Sequence, residues 1–310
     1  MRGRAKIRSS RRPDDFNEFI LLSVQKLARE RAGGGYDLHS YFTQRPGLTY
    51  GHDCCVRANH PPKTMCVAAV SEVIIEALNI YAARTGDYTP FERLPMRSWN
   101  NGSRTDIRPY IFQYDEVDSH GTADALSKFG IGREVRFEEL LPGDFITMNR
   151  TTRSGHTAVF LGYVNKTYGD EPEYSNRVVG FRYFSAQGKG KPDAGLAYRW
   201  AFFSPNCPGR VPGKTRDCNI IFSHNQRTLN TGYMLHPRGW NIDLALKQIY
   251  TNYLVKRFNE IVGRKMSKKE RARLGSTTSV AKFIAALLDP EMRVELKFSI
   301  PPRYDGIEGD

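Results

Sequence analysis

Apolar residues recur every three or four positions in two stretches near the start of the chain, and this spacing predicts two amphipathic helices. The first helix covers residues 14–32 and ends at three consecutive glycines. Its apolar positions are Phe16, Phe19, Ile20, Val24 and Leu27. The second helix begins at Cys66 and has the apolar positions Val67, Val70, Ile74, Leu78 and Tyr81. Each helix should bury one face against the rest of the protein.

The start of the second helix is the most informative point in the sequence. Pro61 and Pro62 oppose helix formation upstream, Thr64 is suited to cap the first turn, and Gly86 should end the helix. Cys66 therefore lies in the first turn, where free amides and the helix dipole favour negative charge. The thiolate is the nucleophilic form of cysteine, so this position favours a reactive thiol. Alternatively, Cys66 is a small core residue, because free cysteines are often buried.

Alternation of polar and apolar residues predicts a β-hairpin near the middle of the chain. Its first strand covers residues 145–148 and follows the turn at residues 142–144, and residues 150–155 form a polar connection. The second strand begins at His156, which shares a face with Ala158 and Phe160. Taken alone, a histidine at a strand end could equally be a polar residue that meets solvent.

Together these segments resemble the central signature of NlpC-type papain-like cysteine peptidases and of the related CHAP amidases. The resemblance rests on a cysteine at the start of an upstream helix and on two segments, Leu140-Leu141-Pro142-Gly143-Asp144-Phe145-Ile146 and Gly155-His156-Thr157-Ala158-Val159-Phe160-Leu161-Gly162. It covers roughly residues 50 to 200. The chain departs from the family pattern at Met65, where an acidic residue usually precedes the cysteine, and through an insertion near residues 84–120. The resemblance implies an α+β, papain-like domain over residues 14–240, with the nucleophile helix packed on an antiparallel sheet.

The resemblance also implies roles for individual residues. Cys66 is the expected nucleophile and His156 the expected general base. The third member, which orients the imidazole, should lie on the next strand, over residues 178–187. Gln187 is the first choice there, because its amide oxygen can accept from the imidazole N–H, and Ser185 is the second. An exposed glutamine at a strand end is an equally good interpretation of Gln187.

The oxyanion hole should combine the backbone N–H of Cys66 with an upstream side chain, either Tyr50 or His52. No cofactor is expected. The implied reaction is the cleavage of amide bonds in peptidoglycan stem peptides, by an amidase or endopeptidase. Two alternatives stay open from the sequence. One is a papain-fold deamidase or acyltransferase that acts on protein or lipid, and the other is a non-catalytic, basic nucleic-acid-binding protein.

The chain of 310 residues has a net charge of +13, which attracts polyanions such as acidic wall polymers or nucleic acid. Basic residues cluster over residues 2–12, which indicates a flexible tail over residues 1–13, and again over residues 264–273. Neither cluster contains the interleaved aromatic residues of a single-strand-binding surface, so nucleic acid is not an expected partner.

The sequence predicts no transmembrane segment, because no apolar run approaches the roughly 18 residues that suggest a span. The basic start also lacks the apolar region of a cleaved secretory signal. By analogy with antibacterial wall-degrading effectors, we expect synthesis in the cytoplasm and export by a specialised secretion system. An immunity protein or a component of that system would then be a partner.

The remaining cysteines and the C-terminal region lead to three further expectations. Cys207 and Cys218 flank a loop rich in proline and glycine and could close a disulfide in an oxidising compartment. Cys54 and Cys55 lie among His52, Asp53 and His60, but a C-x-x-C pair is absent, so no metal site is expected. Residues 241–310 have a helical pattern, with an apolar stripe from Ile242, a capping box at Ser267 and an apolar segment over residues 280–288, and indicate a helical appendage.

Overall fold

The computed structural model describes residues 12–40, 47–93 except 57 and 59, and 119–244, together with three isolated positions beyond residue 244. These residues form a mixed α+β fold, which confirms the predicted class. Four α-helices have both ends in the described ranges: α1 at Asn17–Arg31, α2 at Cys66–Thr85, α3 at Thr89–Arg93 and α4 at Thr122–Lys128. The described residues 242–244 are also helical. The predicted helix over residues 14–32 is therefore confirmed to within three residues at its start.

The strands form one nine-stranded, mainly antiparallel sheet and a separate two-stranded ribbon. In chain order they are β1 Gly33–Gly34, β2 Leu48–Tyr50, β3 Asp53–Val56, β4 Gly132–Glu134, β5 Phe145–Asn149, β6 Gly155–Val164, β7 Asp170–Glu171, β8 Gly180–Gln187, β9 Gly195–Phe203, β10 Asp217–Ile220 and β11 Leu229–Met234. The sheet has the order β1-β9-β8-β6-β5-β11-β4, with β10 beside β9 and β7 beside β6, and β2 pairs with β3 in the ribbon. The predicted hairpin is β5 and β6, in which Met148 pairs with His156.

Part of the large sheet curls into a barrel. Strand β10 pairs in parallel with β9 and also reaches the end of β5, where Ile220 bridges to Arg150. The amide of Ile221 donates to the carbonyl of Asn149 at 3.0 Å, which adds to this closure. Strands β5, β6, β8, β9 and β10 therefore surround a common interior. Its apolar side chains include Ile146, Met148, Ala158, Phe160, Phe181, Tyr183, Ala201, Phe203 and Ile220.

Helix α2 is the central helix of the core outside the barrel. It packs against α1 on one side and against β6 and β8 on the other. Its apolar side chains contact Val159 and Phe184, which lie on the sheet face opposite to the barrel interior. The helix ends at Gly86, whose φ of 72° is a left-handed conformation that favours glycine. The predicted start at Cys66 and end at Gly86 are thus confirmed, but Met65, not Thr64, is the N-cap residue, and its side chain makes no cap hydrogen bond.

By length and apolar composition, α2 is also the one described helix that could cross a bilayer. Most of its residues are buried inside the protein, as expected for a core helix. This observation is weak evidence for a membrane span, and the described residues contain no clear transmembrane segment.

The Pro-Gly-Asp turn before β5 is anchored through a buried carboxylate. Asp144 is fully buried and accepts from Arg12 Nη1 at 2.9 Å, from Asn17 Nδ2 at 2.6 Å and from the amide of Leu141 at 2.8 Å. The Arg12 guanidinium also lies 4.3 Å from the ring centroid of Tyr233. Arg12 is therefore part of the folded protein, and its assignment to a flexible tail was wrong; residues 1–11 lie outside the described residues.

Other sequence expectations also fall outside the described residues. They concern most of the insertion near residues 84–120, of which α3 is the described part, and nearly all of the appendage over residues 241–310.

We expect Arg12→Ala to lower the free energy of unfolding by about 3 kcal/mol, because it leaves a buried carboxylate without its counter-ion. Burial raises the pKa of Asp144 to about 6 even with Arg12 present, so this carboxylate depends on its hydrogen bonds to remain charged. Urea denaturation would measure the change. The matched control is Arg29→Ala, which removes an arginine whose side chain is 71% exposed and should leave stability almost unchanged. Equal effects of the two substitutions would contradict the role of Arg12 as the counter-ion of Asp144.

Candidate active site

Three strand ends meet at one end of the sheet. Strand β6 begins at Gly155, β8 ends at Gln187, and β9 begins at Gly195 opposite Gln187. Val159 pairs with Phe184 in the antiparallel β6–β8 ladder, so continuation of that register places His156 beside Gln187. We call this region the His156 end of the sheet.

A glycine segment brings Cys66 to the His156 end. Gly33 and Gly34 pair with the first residues of β9, and Tyr36 then bridges to Thr64, two residues before Cys66. A Cβ atom on Gly195 would lie 1.7 Å from the carbonyl oxygen of Gly33, so the two backbones approach too closely for any side chain. Because the segment connects β9 directly to the start of α2, the thiol and the imidazole lie at the same end of the sheet.

The thiol of Cys66 is nearly buried. Among the described residues it is hydrogen-bonded to one side chain, Tyr36, which sequence reasoning missed. Cys66 is 8% exposed, and the Tyr36 hydroxyl donates to Sγ at 3.9 Å. Burial, reinforced by the neighbouring Cys66, raises the pKa of Tyr36 far above its ordinary value, so the hydroxyl remains a donor. The first-turn amides of α2 have no intrahelical acceptors and also favour negative charge at this position.

His156 lies inside the barrel, on the face it shares with Ala158 and Phe160 as predicted. Its ring contacts Tyr183 edge to face at 5.7 Å between centroids, and Nε2 is buried without a hydrogen-bond partner among the described residues. Burial, assisted by the nearby Arg150 cation, lowers the pKa of His156 to about 3. The imidazole is therefore neutral at physiological pH, which is the form required of a general base.

Neither candidate for the third member is hydrogen-bonded to the imidazole in this structure. The Gln187 Oε1 accepts from the Tyr183 hydroxyl at 2.6 Å, and its Nε2 is 3.3 Å from Asp217 Oδ2, to which it donates. The Ser185 hydroxyl donates to the carbonyl of Thr157 at 2.7 Å. Gln187 lies at the predicted place, but its amide oxygen, which was expected to accept from the imidazole, is occupied by Tyr183.

A partly buried ion pair between Arg150 and Asp217 is the other feature that sequence reasoning missed. Arg150 Nε lies 2.9 Å from Asp217 Oδ1 and 3.2 Å from Oδ2, and a second guanidinium nitrogen also contacts Oδ2. The two side chains are 13% and 10% exposed. Arg150 interacts electrostatically with both Cys66 and His156. The sequence carries little signal for this pair, because one partner lies in a polar turn and the other in a proline- and glycine-rich loop.

The predicted oxyanion-hole side chains lie elsewhere. Asn79 of α2 donates to the carbonyl of Thr49 at 2.9 Å and accepts from the amide of Gly51 at 3.2 Å, so Tyr50 lies beside Asn79. Asn79 comes 13 residues after Cys66 in the helix, which corresponds to about 20 Å along its axis. His52 stacks on Tyr88 near the same end of the helix. The expectation for Tyr50 and His52 was therefore wrong, and Tyr36 is the upstream side chain beside the thiol.

Cys207 and Cys218 form a disulfide with their Cα atoms 5.6 Å apart, and Cys66 is a free thiol. The side chains of Cys54 and Cys55 lie outside the described part of the chain. Within the described residues, no group of three or more histidine, cysteine, aspartate and glutamate side chains could hold a metal ion.

Comparisons with protein-family models, with curated proteins and with solved structures found no match to this chain.

Burial of a neutral His156 should make the protein less stable in acid. Its pKa is lowered from 6.5 to about 3 on folding, so below pH 6.5 the unfolded chain binds a proton that the folded protein excludes. The contribution of the neutral His156 to the free energy of unfolding is complete above pH 6.5 and falls as the pH decreases toward 3. Between about pH 7 and 4.5 the loss should be about 2 to 3 kcal/mol.

Urea denaturation of the wild type and of His156→Gln at these two pH values measures the effect. Other titrating groups, including Asp144, contribute equally to both proteins, so the wild type should lose more stability than the variant. Equal losses would mean that His156 is not buried in its neutral form.

Proposed function

We propose that this protein is a papain-like cysteine hydrolase that cleaves amide bonds through a thioester on Cys66. The observation that carries the proposal is that two residues with complementary chemistry lie on elements that begin at the His156 end of the sheet. One is a free cysteine at the first residue of a buried helix, and the other is a neutral histidine at the start of a strand. They are 90 residues apart in sequence, and the register of four strands and the glycine segment brings their elements together.

The reaction follows from these groups. Sγ of Cys66 attacks the carbonyl carbon of the amide, and Nε2 of His156 takes the thiol proton. The oxyanion that forms is stabilised by the first-turn amides of α2 and by the Tyr36 hydroxyl. His156 then gives its proton to the leaving amine as the C–N bond breaks. A water molecule, deprotonated by His156, hydrolyses the thioester and regenerates the thiol.

Three further observations support peptidoglycan stem peptides as the substrate. The resemblance of the sequence around His156 to NlpC-type peptidases implies this class. The net charge of +13 would hold the protein on an anionic cell wall. The disulfide between Cys207 and Cys218 is typical of proteins that work in an oxidising compartment. We therefore propose action outside the cytoplasm, as an exported antibacterial effector.

The direct test is digestion of purified wall material with the full chain, followed by mass spectrometry of the released peptides and a count of new amino termini. The wild type should release peptides, and Cys66→Ala should lose at least about 10³-fold in rate because the thioester cannot form. The matched control is Ser71→Ala, which removes a hydroxyl group from the same helix five residues after Cys66. Full activity of Cys66→Ala would refute the proposed chemistry. Transfer of an acyl group or release of ammonia without cleavage would favour an acyltransferase or deamidase.

Tyr36→Phe should reduce the rate of cleavage by about 10- to 100-fold, because it removes one donor from the oxyanion while keeping the ring. The rate on a soluble stem-peptide fragment measures this loss. Tyr198→Phe is the control, since that side chain is 43% exposed on β9. If both variants matched the wild type, the Tyr36 hydroxyl would have no part in the reaction.

A further inference from the structure

Tyr183 of β8 contacts both the imidazole of His156 and the amide of Gln187. Its ring meets the imidazole edge to face, with 5.7 Å between the ring centroids, and its hydroxyl donates to Gln187 Oε1 at 2.6 Å. The Tyr183 side chain is fully buried. Among the described residues, Nε2 of His156 has no hydrogen-bond partner. Packing against the Tyr183 ring is therefore the contact that limits rotation of the imidazole in this structure.

The hydrogen bond between Tyr183 and Gln187 determines where the tyrosine ring lies. The two residues share one face of β8 and are four residues apart, which corresponds to about 13 Å along a strand. The hydroxyl can span this distance only if the side chain of Tyr183 lies along the strand toward Gln187. The register of β6 and β8 places His156 beside Gln187. The same hydrogen bond therefore brings the tyrosine ring alongside the imidazole.

Gln187 is itself held in one orientation. Its Nε2 donates to Asp217 Oδ2 at 3.3 Å, and because a carboxylate only accepts, the amide oxygen must face Tyr183. Burial, reinforced by the nearby Asp217, raises the pKa of Tyr183 far above its ordinary value, so the hydroxyl keeps the proton that it donates. Asp217 is fixed by Arg150, at 2.9 Å and 3.2 Å, and by the pairing of its backbone with Ala201.

The backbone around His156 is anchored independently of Tyr183. His156 pairs with Met148 of β5, and the Ser185 hydroxyl of β8 donates to the carbonyl of Thr157 at 2.7 Å. Rotation about the side-chain bonds is therefore the freedom that remains to His156. A general base must present its nitrogen within hydrogen-bond reach of the proton that it takes, so the orientation of the ring matters for the reaction.

We propose that Tyr183 is the positioning residue of His156, and that Gln187 acts through Tyr183 and not by contact with the imidazole. A hydrogen-bonded tyrosine ring thus performs by packing the role that a third member would perform by a direct hydrogen bond. This inference rests on the proposed role of His156 as the general base.

The test uses Tyr183→Phe, Gln187→Met and the double variant in the full chain. Tyr163→Phe is the matched control, because it removes the hydroxyl of another buried barrel tyrosine, which donates to the carbonyl of Phe137 at 2.6 Å. Tyr163 lies seven residues from His156 along β6. One measurement is kcat and KM on a soluble stem-peptide fragment. The other is the NMR spectrum of histidine-labelled protein, in which the His156 ring signals are identified by their absence from His156→Gln.

We expect each single variant to lose about tenfold in kcat with KM within about twofold of the wild type, because the base is misaligned while substrate binding is unchanged. The double variant should lose no more than either single variant, because both substitutions break the same hydrogen bond. The His156 ring signals should move in all three proteins as the Tyr183 ring changes its position. Tyr163→Phe should leave kcat and these signals unchanged.

Unchanged His156 signals in Tyr183→Phe would overturn the proposal. A loss of kcat in Gln187→Met but not in Tyr183→Phe would also overturn it, because that result indicates direct contact between Gln187 and the imidazole. Equal changes in Tyr163→Phe would do the same, since they indicate a general loss of barrel packing. If the wild type cleaves no fragment, the proposed function fails, while the NMR signals still decide whether Tyr183 orients His156.

Discussion

Burial of helix α2 between α1 and the sheet is the interaction on which the rest of the structure depends. Nearly all of the helix from Cys66 to Leu78 is buried, and each large apolar side chain contributes about 1.5 to 3 kcal/mol when fully removed from water. A shift of the helix by one residue would turn these side chains away from Val159 and Phe184. The position of Cys66 at the His156 end is therefore set by packing along the whole helix and not by contacts of the thiol itself.

The interior of the barrel changes from apolar to polar at the His156 end of the sheet. Its apolar interior gives way to buried or partly buried polar groups, among them the Arg150–Asp217 pair, the linked side chains of Tyr183 and Gln187, and a histidine whose Nε2 has no partner among the described residues. A buried charge that loses its partner costs several kcal/mol, so these groups hold one another in place. Buried polar groups of this kind contribute little to stability relative to apolar packing.

The electrostatics also indicate how such a site would work. A histidine with a pKa near 3 cannot hold a proton for long, so an imidazolium is a poor permanent counter-ion for a thiolate here. The amides of the α2 terminus, the Tyr36 hydroxyl and the Arg150 guanidinium are the groups that can support negative charge. A general base works best when its pKa lies near the operating pH, so under the proposed mechanism the proton that His156 takes from the thiol is held only weakly.

The sequence by itself determined the local elements. Helical periodicity and Gly86 located α2, alternation located β6 and the face of His156, and the spacing of Cys207 and Cys218 indicated their disulfide. These features depend on neighbours within a few residues or within one loop, so a single sequence contains them.

Only the tertiary structure decided which side chains surround the thiol. Tyr36 reaches Cys66 because the glycine segment pairs with β9, and Tyr50 is remote because its ribbon packs beside Asn79. The same holds for Arg12, which the sequence places in a basic tail and the fold directs to Asp144. Gln187 ends the strand after the histidine strand, as the sequence indicated, but its partners, Tyr183 and Asp217, follow from closure of the barrel through β10. Such contacts join residues that are distant in the chain, and no local pattern of polar and apolar residues encodes them.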